Sequence, residues 1–334
     1  MTKLKFSKKY DLFDIKKDFF FNNLKNLKKI KKINKYYSKQ KKRVFCKICS
    51  SKLKDFFLEN FSIKYCFCKK CGHLNGRYQD TDNFIKWLYT GSDGNNYKSS
   101  YIGNYEDRVK KIYLPKANFL KSVIKNKISV IDFGSGAGHF LKALEKLSIK
   151  SKGLEPNKIL VNLGNSQLKK KNLYHFNINK DFFREDDTKN YNVLSLIHVL
   201  EHIQNPHQLL NSFKKSSINY LYLAIPLASF SMFIENAFPN VFPRHLAAGH
   251  THLFTRKSLD YILKKYNFKI IGEWWFGADI SDLLRSISLS SKKNNETLYK
   301  KYFQDYILDL ADELQTTLDK NKLCSEVHLV LSKE

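Results

Sequence analysis

The sequence predicts an α/β fold: a largely parallel sheet covered by helices on both faces, with a small cysteine-held module ahead of it. Three observations carry this. Ile128 to Leu147, ISVIDFGSGAGHFLKALEKL, reads as a buried strand, a glycine turn and an amphipathic helix. From there to the C-terminus, β-branched runs alternate with stretches of helical periodicity, the pattern of a sheet wound with crossover helices. Upstream, Cys46-x-x-Cys49 and Cys68-x-x-Cys71 stand 18 residues apart, a metal-knuckle spacing.

In chain order, residues 1–43 form a basic, Lys-rich extension with 16 basic side chains against 3 Asp. The 334-residue chain carries a net charge of +28, yet only 7 of its 59 basic residues are Arg. Phosphate-binding surfaces favour the bidentate guanidinium, so the Lys skew is compositional rather than a nucleic-acid footprint. The extension interleaves its charge with Phe6, Tyr10, Phe13, Phe19 to Phe21, Tyr36 and Tyr37. Two readings stay open: a solvated, partly helical arm, or one that meets RNA or an anionic surface. The opening MTKLKFSKKYDLFD lacks the apolar stretch of a signal peptide. No 18-residue apolar run occurs, and the longest candidate, Tyr220 to Ile234, is broken by Pro226. The expectation is a cytoplasmic protein without a transmembrane segment.

Residues 44–77 are expected to be a zinc-binding module with Cys46, Cys49, Cys68 and Cys71 as ligands. Each C-x-x-C pair puts two sulfurs on one tight turn, and a segment this short cannot build a hydrophobic core unaided. Structural disulfides are disfavoured in the cytosol. A closed four-thiolate site has no open position, so the metal's expected role is structural. Cys66 is a competitor for Cys68, His73 is a spare ligand, and Cys324 reads as a buried apolar side chain.

Residues 78–127 are read as a linker and cap, with a helix from about Glu106 to Ile124. Residues 128–334 make the main domain. After its first strand, Asp132 stands before the turn Gly134-Ser135-Gly136-Ala137-Gly138, and His139 occupies the third-glycine place of a dinucleotide fingerprint. An acid at Asp132 suits a cofactor with a cationic end, such as S-adenosylmethionine. Glu155, 17 residues beyond Gly138, closes the next strand, where a carboxylate can accept ribose hydroxyls. In VIDFGSGAGHF and GLEP the sequence resembles the class I S-adenosylmethionine-dependent methyltransferases. That resemblance implies a Rossmann-like, seven-stranded methyltransferase sheet. It also implies a cofactor-binding set of Asp132, Gly134, Ser135, Gly136, Gly138, Glu155, Pro156 and His198. The cap segment would lie over the cofactor, making Tyr97, Tyr101 and Arg108 candidates to line the acceptor pocket.

Helix Asn157 to Leu168, strand Leu173 to Phe176 and strand Tyr191 to Ile197 follow. The last runs into His198-Val-Leu-Glu-His202 and then an Asn205-Pro206 helix start. HVLEHIQNP resembles the motif after the fourth strand in the ubiquinone-biosynthesis and sugar branch of the family, where it borders both methionine and acceptor. Glu201 and His202 bracing the loop is the alternative. A fifth strand, Tyr220 to Ile225, leads into residues 227–255, a long non-periodic connection rich in aromatics and His that reads as an acceptor lid. Sugar C-methylating relatives carry Glu-His where this chain has Gly249-His250, which weakens carbon as the methylated atom. Then come helix Lys257 to Tyr266, strand Lys269 to Trp275, a helical insertion at 279–318 and a final strand, Glu326 to Leu331. The family places that strand antiparallel between the fifth and sixth.

An acceptor hydroxyl needs a base, and His titrates in the useful range. The candidates are His250 first, then His252, His198 and His202. The zinc-knuckle start is like that of bacterial surface-polysaccharide methyltransferases, which implies a small sugar, nucleotide-sugar or glycan acceptor. An RNA methyltransferase using the basic arm and a non-catalytic cofactor-binding module are the alternatives. The C-terminal helices are a candidate homodimer surface.

Overall fold

A computed structural model describes residues 2–7, 22–56, 58–90, 104–176, 188–246, 249–290 and 308–333. Tyr97, Tyr101, most of the basic stretch before Asn22 and the middle of the helical insertion (291–307) lie outside the described residues.

The main sheet contains β1 (Lys3–Phe6), β5 (Ser129–Phe133), β6 (Lys150–Glu155), β7 (Leu173–His175), β8 (Val193–Ile197), β9 (Tyr220–Pro226), β11 (Phe268–Phe276) and β12 (Glu326–Lys333). Their order is β1-β11-β12-β9-β8-β5-β6-β7. Strands β5 to β9 pair in parallel, and β12 enters antiparallel between β9 and β11. The Rossmann-like, seven-stranded order expected from the sequence is therefore present, and β1 extends it as an eighth strand parallel to β11. The chain reverses direction across the sheet between β5 and β8. In open α/β sheets the crevice at that point, beyond the strands' carboxyl ends, is where ligands bind.

Alternation along the strands feeds two cores. Leu221, Leu223 and Ile225 of β9 enter one, with Phe213, Leu259 and Ile262; Tyr222 enters the other, with Phe119, Phe140 and Trp274. The helices begin where sequence chemistry allows. Asn157 accepts hydrogen bonds from the backbone N–H of Ile159 and Leu160 at the head of Lys158–Gln167. Asn205 accepts one from Gln208 at the head of Pro206–Lys215. Thr255 and Ser258 form a reciprocal cap for Arg256–Tyr266.

A smaller antiparallel sheet, order β10-β4-β3-β2, comprises β2 (Leu58–Asn60), β3 (Ile63–Phe67), β4 (Leu74–Gly76) and β10 (His252–Leu253). Strand β10 comes from the far end of the loop 227–255, so the cysteine module and that loop share one sheet. Cys46, Ile48 and Cys68 also join the core under β9 and helix 256–266.

Two expectations are revised. The basic extension is not simply solvated, because β1 sits on the sheet edge and helix Asn23–Tyr37 buries Leu27, Ile30, Ile33 and Tyr37 while Lys25, Lys28, Lys31, Lys32 and Lys35 face water. Tyr36 stacks on Trp87 with ring centroids 4.4 Å apart. The loop 227–255 is not irregular throughout either. It holds helix Phe230–Ala237 as well as β10, both too short for periodicity to expose.

Candidate active site

The glycine turn leaves β5 with three residues at positive φ, Gly134 (+72°), Gly136 (+55°) and Gly138 (+73°). A Cβ on Gly134 would lie 2.6 Å from Val199 Cγ2, so glycine is required there twice over, by conformation and by contact. Gly138 opens helix His139–Lys146, and Ser135 Oγ donates back to the Asp132 carbonyl at 2.7 Å. Asp132 is buried at the tip of β5, its carboxylate accepting from Ser195 Oγ at 2.6 Å. Burial pushes its pKa up to about 7. Glu155, at the tip of β6, accepts from the Gly136 N–H at 2.8 Å and the Asn157 N–H at 3.0 Å. Burial raises it, too, to about 7. Pro156 follows it as the chain bends toward the next helix. Two costly buried acids thus converge on one glycine turn.

The cap crosses this turn. Tyr105–Arg108, a π-helical turn at Val109–Tyr113 and helix Leu114–Val123 run continuously. Tyr105 donates its hydroxyl to the Ala137 carbonyl at 3.0 Å, and its ring stacks 4.1 Å from that of His139. Arg108 is half-buried in the same segment. π-turns are frequent at functional sites.

At the tip of β8, His198 sits at φ +55°, an uncommon conformation for a non-glycine residue. Its Nε2 lies 3.1 Å from Glu326 Oε1 and its Nδ1 3.5 Å from Glu201 Oε1. Burial is the strongest single influence on His198 and lowers its pKa, but Glu326 and Glu201 together overcome it, and the net shift is upward. Lys116 reaches the same carboxylate at 3.4 Å, and His328 Nε2 does so at 2.8 Å. Glu326 is consequently held well below its usual range: its burial opposes ionisation, and Lys116 leads the groups that overcome this.

One turn further, Leu200–His202 forms a short 3-10 helix. His202 and His250 lie against each other with their rings tilted by 35° and centroids 4.9 Å apart. The Nδ1 of His250 is 2.7 Å from the His245 carbonyl, and that of His202 is 3.4 Å from the Gly249 carbonyl. Burial lowers both pKa values, that of His250 to about 3, so both rings are neutral near pH 7. An Nδ1–H pointed at a carbonyl leaves Nε2 as the unprotonated nitrogen.

His252 is separate from this pair. It is fully buried in β10, with its Nδ1 2.9 Å from His73 Nε2, and His73 Nδ1 meets Ser258 Oγ at 3.3 Å. It braces the junction of cysteine module, loop and helix, which is inconsistent with a role as the exchanging base. Sequence reasoning also passed over Lys116 and Glu326, which lie 210 residues apart and carry no local motif. Glu235 was missed as well. Its carboxylate accepts from the backbone N–H of Arg244, His245 and Leu246 at 2.6–2.9 Å, fixing the loop that presents His250.

The four knuckle cysteines converge, one sulfur from each lying within 4.8 Å of the others. Cys46 and Cys71 sulfurs are 3.6 Å apart, those of Cys49 and Cys68 3.4 Å. A tetrahedral metal with sulfur bonds of ~2.3 Å has edges of about 3.8 Å, so the arrangement fits one. Asn75 Nδ2 and the Ile48 N–H point at Cys46 Sγ, at 3.5 and 3.4 Å. Cys66 is outside the cluster, and burial pushes its thiol up to about 11.

The family model described as a methyltransferase domain matches residues 105–273, the cap through most of β11. The chain belongs to this family. The match covers the glycine turn, the acids at the tips of β5 and β6, and the His198–His202 segment. The methyltransferase uses S-adenosylmethionine as its methyl donor. Similar solved structures include the plantazolicin methyltransferase BpumL in complex with SAH, 17% identical with a TM-score of 0.46. That comparison covers 75% of this chain and 94% of the other. An Archaeoglobus fulgidus SAM-dependent methyltransferase is 15% identical at a TM-score of 0.40, covering 69% and 98%. Coclaurine N-methyltransferase, bound to N-methylheliamine and SAH, is 12% identical at 0.41, covering 67% and 73%. No curated protein sequence matches. Among the described residues no helix is long and apolar enough to cross a membrane.

Proposed function

We propose that this methyltransferase moves a methyl group to the hydroxyl of a small acceptor, a sugar, nucleotide sugar or glycan, bound between the glycine turn and the His202–His250 pair. The observation that carries this is the pair itself. Two imidazoles, neutral at physiological pH and tethered through Nδ1, stand at the β8 edge of the crevice with Nε2 as the basic atom. The cofactor would supply a methyl group on a positively charged sulfur. Asp132 would face its cationic end and Glu155 its ribose, with Gly134, Ser135, Gly136, Gly138, Pro156 and His198 shaping the cradle. That methyl would pass to an acceptor oxygen held in line with it, the electron pair of the broken bond staying on sulfur. The hydroxyl proton passes to the His250 side of the pair. His198, pinned between two carboxylates, orients rather than deprotonates.

The sugar-type acceptor rests on the resemblance of the cysteine-knuckle start, and zinc on the fit of Cys46, Cys49, Cys68 and Cys71 to a tetrahedral ion. Zinc would lock the module on which β10 and the His252–His73 contact are built. RNA is the second acceptor reading, kept by the lysine-covered face of helix 23–37. Helices Asp279–Ser290 and Leu308–Lys320 expose Ile287, Leu310 and Leu314, the surface a homodimer would use.

The test incubates full-length protein with methyl-labelled S-adenosylmethionine and fractionated cell extract. Label in a nuclease-resistant, low-mass fraction is expected, and loss of at least ~100-fold of that transfer in His250→Ala. Label confined to RNA would overturn the acceptor assignment.

A further inference from the structure

Beside the crevice, Glu201 presents a problem in electrostatics. Its side chain has no exposure to solvent, and among the described residues neither carboxylate oxygen has a hydrogen-bond partner. The nearest donor is His198 Nδ1 at 3.5 Å, and the His202 nitrogen that faces the carboxylate, Nε2 at 4.0 Å, carries no proton in the neutral ring. A buried carboxylate without hydrogen bonds is strongly disfavoured unless a positive charge compensates it. His198 meets part of that need: burial opposes ionisation of Glu201 and His198 leads the groups that favour it, but the same ring lies closer to Glu326, at 3.1 Å, so its charge is shared between two carboxylates.

Around the carboxylate, one ligand atom each from Glu201, His202 and His250 fall within 4.8 Å of one another. Both imidazoles direct Nδ1 at a backbone carbonyl, at 3.4 Å for His202 and 2.7 Å for His250. That tether fixes the tautomer and orients the ring, which is how proteins prepare histidine to bind a metal through Nε2. The loop holding His250 is itself held by Glu235, through three backbone N–H groups. Two imidazoles and one carboxylate make a three-ligand set that leaves coordination positions open.

We propose that Glu201, His202 and His250 form a second metal site, binding a divalent first-row cation at the acceptor edge of the crevice. The inference rests on the reading of that cluster as the acceptor site and changes how it handles the proton. A cation there neutralises Glu201 and takes the acceptor hydroxyl oxygen in an open position, lowering its pKa so that the proton leaves to solvent. The two imidazoles then hold the ion rather than receive the proton. Unlike the cysteine cluster, this N2O set accepts hard and borderline cations, so Mn2+ distinguishes the two sites.

The experiment titrates Mn2+ into zinc-loaded, full-length protein and reads the loss of the free-ion paramagnetic resonance signal. Glu201→Gln and His250→Ala are titrated in parallel, with S-adenosylhomocysteine binding as the check on folding. One Mn2+ per chain is expected, bound about tenfold or more weakly in both variants while they retain S-adenosylhomocysteine. Wild-type protein that leaves Mn2+ free, or variants that bind it as the wild type does, overturns the site. If Mn2+ stays free and His250→Ala still abolishes methyl transfer, the cation falls and the acceptor reading stands. If Mn2+ binds at the cluster while His250→Ala transfers methyl undiminished, the cation stands and the acceptor reading falls.

Discussion

Two buried acids decide how the crevice at the glycine turn responds to pH. Asp132 and Glu155 are each raised to about 7 by burial, against ordinary values near 4. For an acid raised on folding, the native state is favoured while the group stays protonated. Stability of the cofactor-free protein should therefore fall as pH climbs from about 4 to 7 and level off above. Binding a cationic ligand reverses the preference by favouring the carboxylates. Affinity for S-adenosylmethionine is expected to rise between pH 6 and 8, with proton release detectable by calorimetry in two buffers. Affinity that falls over this range would remove Asp132 from the cationic end. Gly134→Ala is a second probe at this scale. Its positive φ and the 2.6 Å approach of Val199 should cost about 1–3 kcal/mol, read by urea unfolding. These positions were legible because each needs a particular residue type at a fixed distance from a strand. Lys116 and Glu326 were not, since a buried ion pair 210 residues apart leaves no local pattern.

Among the elements, the cysteine module is joined to the loop 227–255 by contacts that spacing cannot reveal. Strand β10 pairs with β4, the Gly76 N–H donates to the Thr251 carbonyl at 2.9 Å, and Thr255 Oγ1 donates to the Gly72 carbonyl at 3.1 Å. If zinc holds the module, Cys68→Ser should lose the metal and loosen more than residues 44–77. Hydrogen exchange of the backbone amides at 250–255 is expected to accelerate along with those of β3 and β4. Acceleration confined to the module would show that the two parts are independent. The four ligands were readable from the C-x-x-C repeat. Their attachment was not, because β10 has only two residues and its partner lies more than 170 positions earlier.

For the whole molecule, the N-terminus closes the sheet. Residues 3–6 pair with Gly272 to Trp275, and Trp274 Nε1 donates to the Ser7 carbonyl at 2.9 Å. Deleting residues 1–7 should therefore lower the thermal midpoint by several degrees, given a loss of about 1–3 kcal/mol in strand pairing and indole hydrogen bonding. An unchanged midpoint, measured by circular dichroism, would make β1 a loosely attached edge. The same variant should leave label transfer to a small acceptor largely intact.

Local chemistry determined the α/β class, the succession of strands and helices from β5 onward, the glycine turn with its two acids and the four clustered cysteines, while the place of the last strand came from the family resemblance. Glycine turns, acids at strand ends and knuckle spacings act over a few residues, so they are written in the sequence. The eighth strand, the sharing of a sheet between module and loop, and the meeting of Glu201, His202 and His250 depended on tertiary structure. In each, the interacting groups approach only after chain segments many tens of residues apart have packed. The same distinction separates His250 from His252. Two positions apart in one loop, one ends beside the crevice and the other in the junction, because β10 turns His252 into the module's core.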